Sequence, residues 1–171
     1  FYFGSAAFLF GQTADKIKMK NCSVLRSRNS CVAYTTLGKG LIIEDCILDP
    51  IAAVGIYSAV IANNDVEFVR TKTTSGIGIV GTATENVYTA GFCKFSSSDV
   101  NANANVARSL TIGVGASVEF NGGVLGGTVN ARSNTSLTLT QCDWVATGVI
   151  GWLDTSQDST QTVSLDNVKL K

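Results

Sequence analysis

Residues 16–25 read KIKMKNCSVL and residues 40–49 read GLIIEDCILD, and the two lines superpose. Apolar side chains recur at offsets 0, 2, 5 and 7: Ile17, Met19, Cys22 and Val24 in the first, Leu41, Ile43, Cys46 and Leu48 in the second. SLTLTQCDWV at 136–145 supplies Leu137, Leu139, Cys142 and Trp144, and QTVSLDNVKL at 161–170 supplies Val163, Leu165, Val168 and Leu170. Val66, Phe68, Thr71 and Thr73 fit the same frame, as do Tyr88, Ala90, Cys93 and Phe95. Taking the third position of each set as its anchor gives residues 22, 46, 71, 93, 142 and 168, at steps of 24, 25, 22, 49 and 26. The step of 49 predicts one further copy inside it, read as Ile112, Val114, Val118 and Phe120 with an extra residue in the bend.

Self-similarity at a period of this length is the mark of a solenoid. Offsets 0 and 2 put two side chains on one face of an extended strand. The jump from 2 to 5 breaks that alternation, so the chain must bend between the pairs if both are to face inward. Two short strands meeting at a tight bend, repeated in register, describe one corner of a parallel β-helix. Asn21, Asp45 and Asn167 each precede an anchor, and these residue types tolerate left-handed backbone angles. The pattern predicts an all-β fold, a right-handed single-stranded parallel β-helix, its hand following the chirality of parallel crossovers. A chain of 171 residues suits one domain, 1–171, and at about 24 residues per coil it predicts about seven coils. The segments 31–36 (CVAYTT), 54–62 (VGIYSAVIA) and 76–81 (GIGIVG) supply the other strand of their coils. Residues 101–109 (NANANVARS) read as a polar loop, and 148–160 as a longer excursion before the last coil.

Thirteen basic and thirteen acidic residues cancel, so no global charge draws the chain to nucleic acid or to an anionic membrane. Charged residues make up 15% of the chain, against a usual share of about 25%. Low charge with no net charge is poor for the solubility of a free monomer, which predicts an assembled state. Outward apolar residues such as Ile42, Ile47 and Val69 point the same way. No run of eighteen apolar residues is present, so no membrane insertion is expected. Phe1 stands where a starter methionine would, which predicts a fragment of a longer chain.

There are five cysteines; four of them sit at inward positions of the frame, where a free thiol behaves as a small hydrophobe. The expectation is a stack of reduced, buried thiols folded in a reducing cytoplasm, with Cys31 outside the frame. No CxxC spacing and no histidine occur, so zinc or haem has little to bind, and no metal or cofactor is expected.

Gly76, Gly78 and Gly81 spell GxGxxG, but the chain continues into TATENVY, which runs on toward the next strand corner. A dinucleotide site needs a helix at that point, so the glycines read as a coil bend. A second glycine-rich stretch, 113–127, lacks the Lys-Ser/Thr of a phosphate loop. Glycoside hydrolysis needs two carboxyl groups roughly 5 to 9.5 Å apart, yet no two adjacent coils carry an acid at the same corner register. Lys20 should instead lie beside Glu44, and Asp45 beside Arg70, as rungs of an ion-pair ladder. Outside the corner, Asp154 and Asp158 are the acids that could act as a catalytic pair. Trp144 is expected in the core. Trp152 and Tyr34 fall in less regular segments and could stack on sugar rings or pack at an interface.

The repeats at 16–25, 40–49, 136–145 and 161–170 resemble the parallel β-helix repeat of the pectin-lyase-like superfamily. That superfamily contains carbohydrate lyases and hydrolases and the tailspikes of bacteriophages. The abundance of Gly, Ser, Thr and Asn and the reduced cysteines make the chain most like a tailspike or tail-fibre segment. The resemblance implies a homotrimer made in the host cytoplasm, carried in the virion tail with other virion proteins, and contacting a host cell-surface glycan. It transfers no catalytic residue. A polysaccharide depolymerase, either glycoside hydrolase or lyase, is the alternative on the same fold. A bacterial surface adhesin passenger is a third.

Overall fold

The computed structural model describes residues 6–9, 15–34, 39–51, 53, 56–62, 65–80, 92–103, 108–131, 134–145 and 161–171. Among these residues there is no helix. One sheet stacks β1 (Ala6–Leu9), β4 (Ser30–Tyr34), β7 (Ala59–Ala62), β10 (Ile77–Val80), β12 (Arg108–Ile112) and β14 (Thr128–Ala131) in that order. The other stacks β2 (Asp15–Lys20), β5 (Lys39–Glu44), β8 (Asp65–Val69), β11 (Phe92–Asn101), β13 (Ser117–Gly126), β15 (Ser136–Thr140) and β17 (Thr162–Asp166). Beyond the bend it continues through β3 (Ser23–Ser27), β6 (Ile47–Pro50), β9 (Lys72–Thr73), β16 (Asp143–Val145) and β18 (Lys169–Leu170). Every pairing described between these strands is parallel.

The protein is therefore an all-β parallel solenoid. Its two walls continue together through β4–β7, β7–β10, β10–β12 and β12–β14, matched on the longer sheet by β2–β5, β5–β8, β8–β11 and β11–β13. The closed solenoid is about four turns long, not the seven that the corner count predicts. The longer sheet runs on past β14, adding β15 and β17. The predicted second strands at 31–36, 54–62 and 76–81 correspond to β4, β7 and β10.

Register settles the inward columns. The first runs Leu41, Val66, Cys93, Val118 and Leu137; the second runs Ile43, Phe68, Phe95, Phe120 and Leu139. All ten side chains are at most 2% exposed and belong to one core. Neighbouring strands lie about 4.8 Å apart, which suits offset-stacked rings. Phe68 and Phe95 stack at 4.7 Å and 7°, Phe95 and Phe120 at 5.3 Å and 27°.

This register corrects the fourth and fifth copies of the frame. Cys93 pairs with Val66 and Val118, so it occupies offset 0. The copies are Cys93, Phe95, Ser98, Val100 and then Val118, Phe120, Gly123, Leu125. The anchors become 22, 46, 71, 98, 123, 142 and 168, at steps of 24, 25, 27, 25, 19 and 26, with no copy missing. The frame slips because its pattern overlaps itself when moved by five residues: the pair at offsets 0 and 2 passes for the pair at 5 and 7. Tyr88 and Ala90 lie outside the described residues.

The anchor column thus reads Cys22, Cys46, Thr71, Ser98, Gly123, Cys142 and Val168, and its residues are small rather than uniformly apolar. Most of the polar ones lie within reach of backbone carbonyls. Thr71 Oγ1 is 3.0 Å from the Ile43 carbonyl and 3.2 Å from that of Val69; Ser98 Oγ is 3.2 Å from those of Phe68 and Ser96. Cys46 Sγ makes the matching approaches to Met19 and Glu44, at 3.7 and 3.2 Å. Each donor reaches the carbonyl two residues back on its own strand and the carbonyl at offset 2 of the preceding turn. The residue before each anchor is left-handed: Asn21, Asp45, Arg70, Ser97, Gln141 and Asn167 have φ between 47° and 55°, and Gly122 has 71°. The expectation drawn from Asn21, Asp45 and Asn167 thus extends to residue types that carry no such preference, because the bend imposes it.

All five cysteines are free. Cys31, Cys46, Cys93 and Cys142 are buried and Cys22 is half-buried. Burial pushes the Cys31 thiol up to about 12, with nearby Asp49 adding to the shift, and raises those of Cys93, Cys46 and Cys142 as well. Trp144 is in the core as expected, 5% exposed, donating from Nε1 to the Gly127 carbonyl at 2.9 Å. Gly78 is not a bend residue; it lies within β10, where the Tyr57 ring approaches its Cβ position at 3.5 Å.

Candidate functional site

The outer face of the longer sheet presents side chains in register from turn to turn. Its first rung is basic, with Lys18 and Lys20 on β2; the next two carry Glu44 on β5 and Asp65 and Glu67 on β8. The fourth rung brings Phe92 beside Asp65 and Lys94 beside Glu67, and Glu119 on β13 follows Lys94. On the last two rungs the face is mostly hydroxylic: Ser136, Thr138 and Thr140 on β15, Thr162 and Ser164 on β17, with Asp166 beside Thr140.

At the bend the predicted ion-pair ladder is present. Lys20 Nζ is 3.0 Å from Glu44 Oε1, and Lys18 pairs with the other oxygen of Glu44. Arg70 spans two acids, 2.7 Å from Glu44 Oε1 and 2.7 Å from Asp45 Oδ1. Hydrogen bonds from Lys18, Lys20 and Arg70 hold the Glu44 carboxyl down to about 2, and Arg70 lowers that of Asp45. All of these carboxylate oxygens are engaged, so the ladder ties the first three rungs together and is poorly suited to acid–base chemistry.

A shallow groove of about 280 Å³ opens over the second to fourth rungs, lined by Gly40, Ile42, Asp65, Glu67, Phe92 and Lys94 among others. Gly40 makes room for it. A Cβ there would meet only the Asp65 carbonyl oxygen, at 4.0 Å, so the missing side chain leaves open space. Asp65 and Glu67 alternate on β8 and share the outer face, two rises or roughly 6.6 Å apart along the strand. Phe92 is half-buried and lines the groove. The site can accept hydrogen bonds at two carboxylates, donate them at one ammonium, and offer an aromatic surface.

Of the residues singled out in the sequence, Asp154, Asp158 and Trp152 lie outside the described residues. Tyr34 is on β4 with no exposed surface; its ring is part of the core and presents no face on which a sugar could stack. Asp65, Glu67 and Phe92 were missed. The alternation Asp-x-Glu on one strand was visible, but Phe92 joins it only through the register Asp65↔Phe92, which the slipped fourth copy concealed. Among the described residues no three or more His, Cys, Asp or Glu side chains gather as metal ligands. No helix among them is long and apolar enough to cross a membrane. No protein-family model matches the chain, and no curated protein matches it in sequence.

Proposed function

We propose that the chain is a rigid receptor-binding segment of a bacteriophage tailspike or tail fibre, turning the outer face of its longer sheet to host surface polysaccharide. The observation that carries this reading is the groove over β5, β8 and β11, where two carboxylates, an ammonium and an aromatic ring meet on a parallel solenoid wall. The ladder of paired strands beneath it makes a stiff support, and function drawn from the fold is analogy. The accompanying assembly is a homotrimer bound to other virion proteins. Low overall charge and exposed apolar side chains at Leu25, Ile47 and Ile51 support an assembled state.

A depolymerase is the second reading, because Asp65 and Glu67 set two carboxylates on one face of β8 beside the groove, and glycosidases work with such a pair. Incubation with capsular polysaccharide or lipopolysaccharide from candidate hosts separates the two. Binding without new reducing ends supports the receptor-binding segment. Cleavage that is lost in Asp65→Asn or Glu67→Gln establishes the depolymerase instead. Light scattering tests the assembly, with a stable monomer as the losing outcome.

A further inference from the structure

We infer that the glycan is an uncharged or amino-bearing chain that runs along the solenoid axis, one sugar seated on Phe92 and the following sugars laid over the hydroxyl rungs. This rests on the reading of the outer face as a polysaccharide contact and adds the chemical class and the direction. The class follows from charge. The groove sets two carboxylates, Asp65 and Glu67, against the single ammonium of Lys94. Lys94 is itself flanked in register by Glu67 and Glu119. A uronic or sialic acid would meet a surface of its own sign, whereas neutral hydroxyls and ammonium groups meet acceptors.

The direction comes from the residues beside the groove. Continuing along the axis from Phe92, register places Ser117, Ser136 and Thr162 in one line and Thr138 and Ser164 in the next. Among the described residues none of these hydroxyls has a hydrogen-bond partner. From β5 to β15 the sheet's amide groups are consumed in pairing with strands on both sides, so there the face offers a ligand its side chains. Hydroxyls repeating at the strand spacing of about 4.8 Å can both donate and accept, as successive sugar units require. An aromatic ring at one end gives the chain a starting point.

The test is a printed glycan panel containing neutral, amino and uronic-acid oligosaccharides, each as two, four and six sugars, probed with the full chain. Neutral or amino members should bind best, with apparent affinity rising at least tenfold from two sugars to six. Thr162→Val with Thr138→Val removes one hydroxyl from each line while keeping shape and strand preference. It should abolish the gain with length, whereas Phe92→Ala should weaken binding at every length. Thermal melts matching the parent show that both variants are folded. A preference for uronic acids, or affinity that does not change with length, overturns this inference and leaves the receptor-binding reading standing. Failure to bind any member of the panel overturns both.

Discussion

Two inward columns of the same sheet lie three residues apart and are held in different ways. The column through Ile43, Phe68, Phe95, Phe120 and Leu139 is apolar throughout and works by stacking large side chains. The column through Cys46, Thr71, Ser98, Gly123 and Cys142 works by smallness, a left-handed residue before it, and donors aimed at carbonyls. The contrast shows that a solenoid corner selects for hydrophobicity on its strands and for fit at its bend. Phe95→Ala tests the first column where it is most crowded, between Phe68 and Phe120. It should cost roughly 3–5 kcal/mol, read as a fall in the urea midpoint; a loss no larger than that of a surface substitution would show the rings to be incidental.

Gly123 tests the second column. A Cβ on it would stand 2.1 Å from the Ser98 carbonyl oxygen, and its φ is 86°. Both the left-handed backbone, at about 1–2 kcal/mol, and the forced separation of two turns, at about 1–3 kcal/mol, oppose Gly123→Ala. Gly40 provides the control: its φ is 92° but its nearest neighbour is 4.0 Å away. Gly40→Ala should therefore show only the backbone cost. Equal losses for the two would mean that the close approach at Gly123 relaxes freely.

The same contrast explains what the sequence made legible. Apolar columns announce themselves by period, so the stacking of 17 on 41 and of 19 on 43 could be read, and the register agrees. The anchor column could be followed only where it held cysteine, threonine or valine in a clear frame. At Ser98 and Gly123 it carries none of these, and the pattern fits Cys93 equally well. The groove was harder still. It depends on Gly40, Asp65 and Phe92 meeting across three turns, and on Gly40 contributing no side chain. No local window contains either condition.

Ser98 asks whether the bend column needs a donor or merely a small residue. Its hydroxyl reaches two carbonyls and accepts from the Thr71 amide at 3.1 Å. Ser98→Ala leaves that buried amide without its acceptor, at a cost of about 1–3 kcal/mol. Ser98→Cys restores the residue that the column uses at 22, 46 and 142, and should recover most of the loss. Alanine and cysteine behaving alike in chemical denaturation would reduce the column to size alone.

The outer side of the bend should give the smallest effect, and one that depends on pH. Lys18, Lys20 and Arg70 hold the Glu44 carboxyl at about 2, against an ordinary value of 4.5. The unfolded chain therefore takes up this proton first as pH falls. The contribution of Glu44 is complete above about pH 4.5 and is lost as the pH descends through about 2. Because the charges sit at the surface, the effect is modest and screened by salt. Parent and Glu44→Gln should differ in urea midpoint at pH 6, draw together between pH 4.5 and 2, and differ less in 1 M salt. Midpoints that stay parallel down to pH 2 would show that the ladder adds nothing to stability, leaving the bend to its inward column alone.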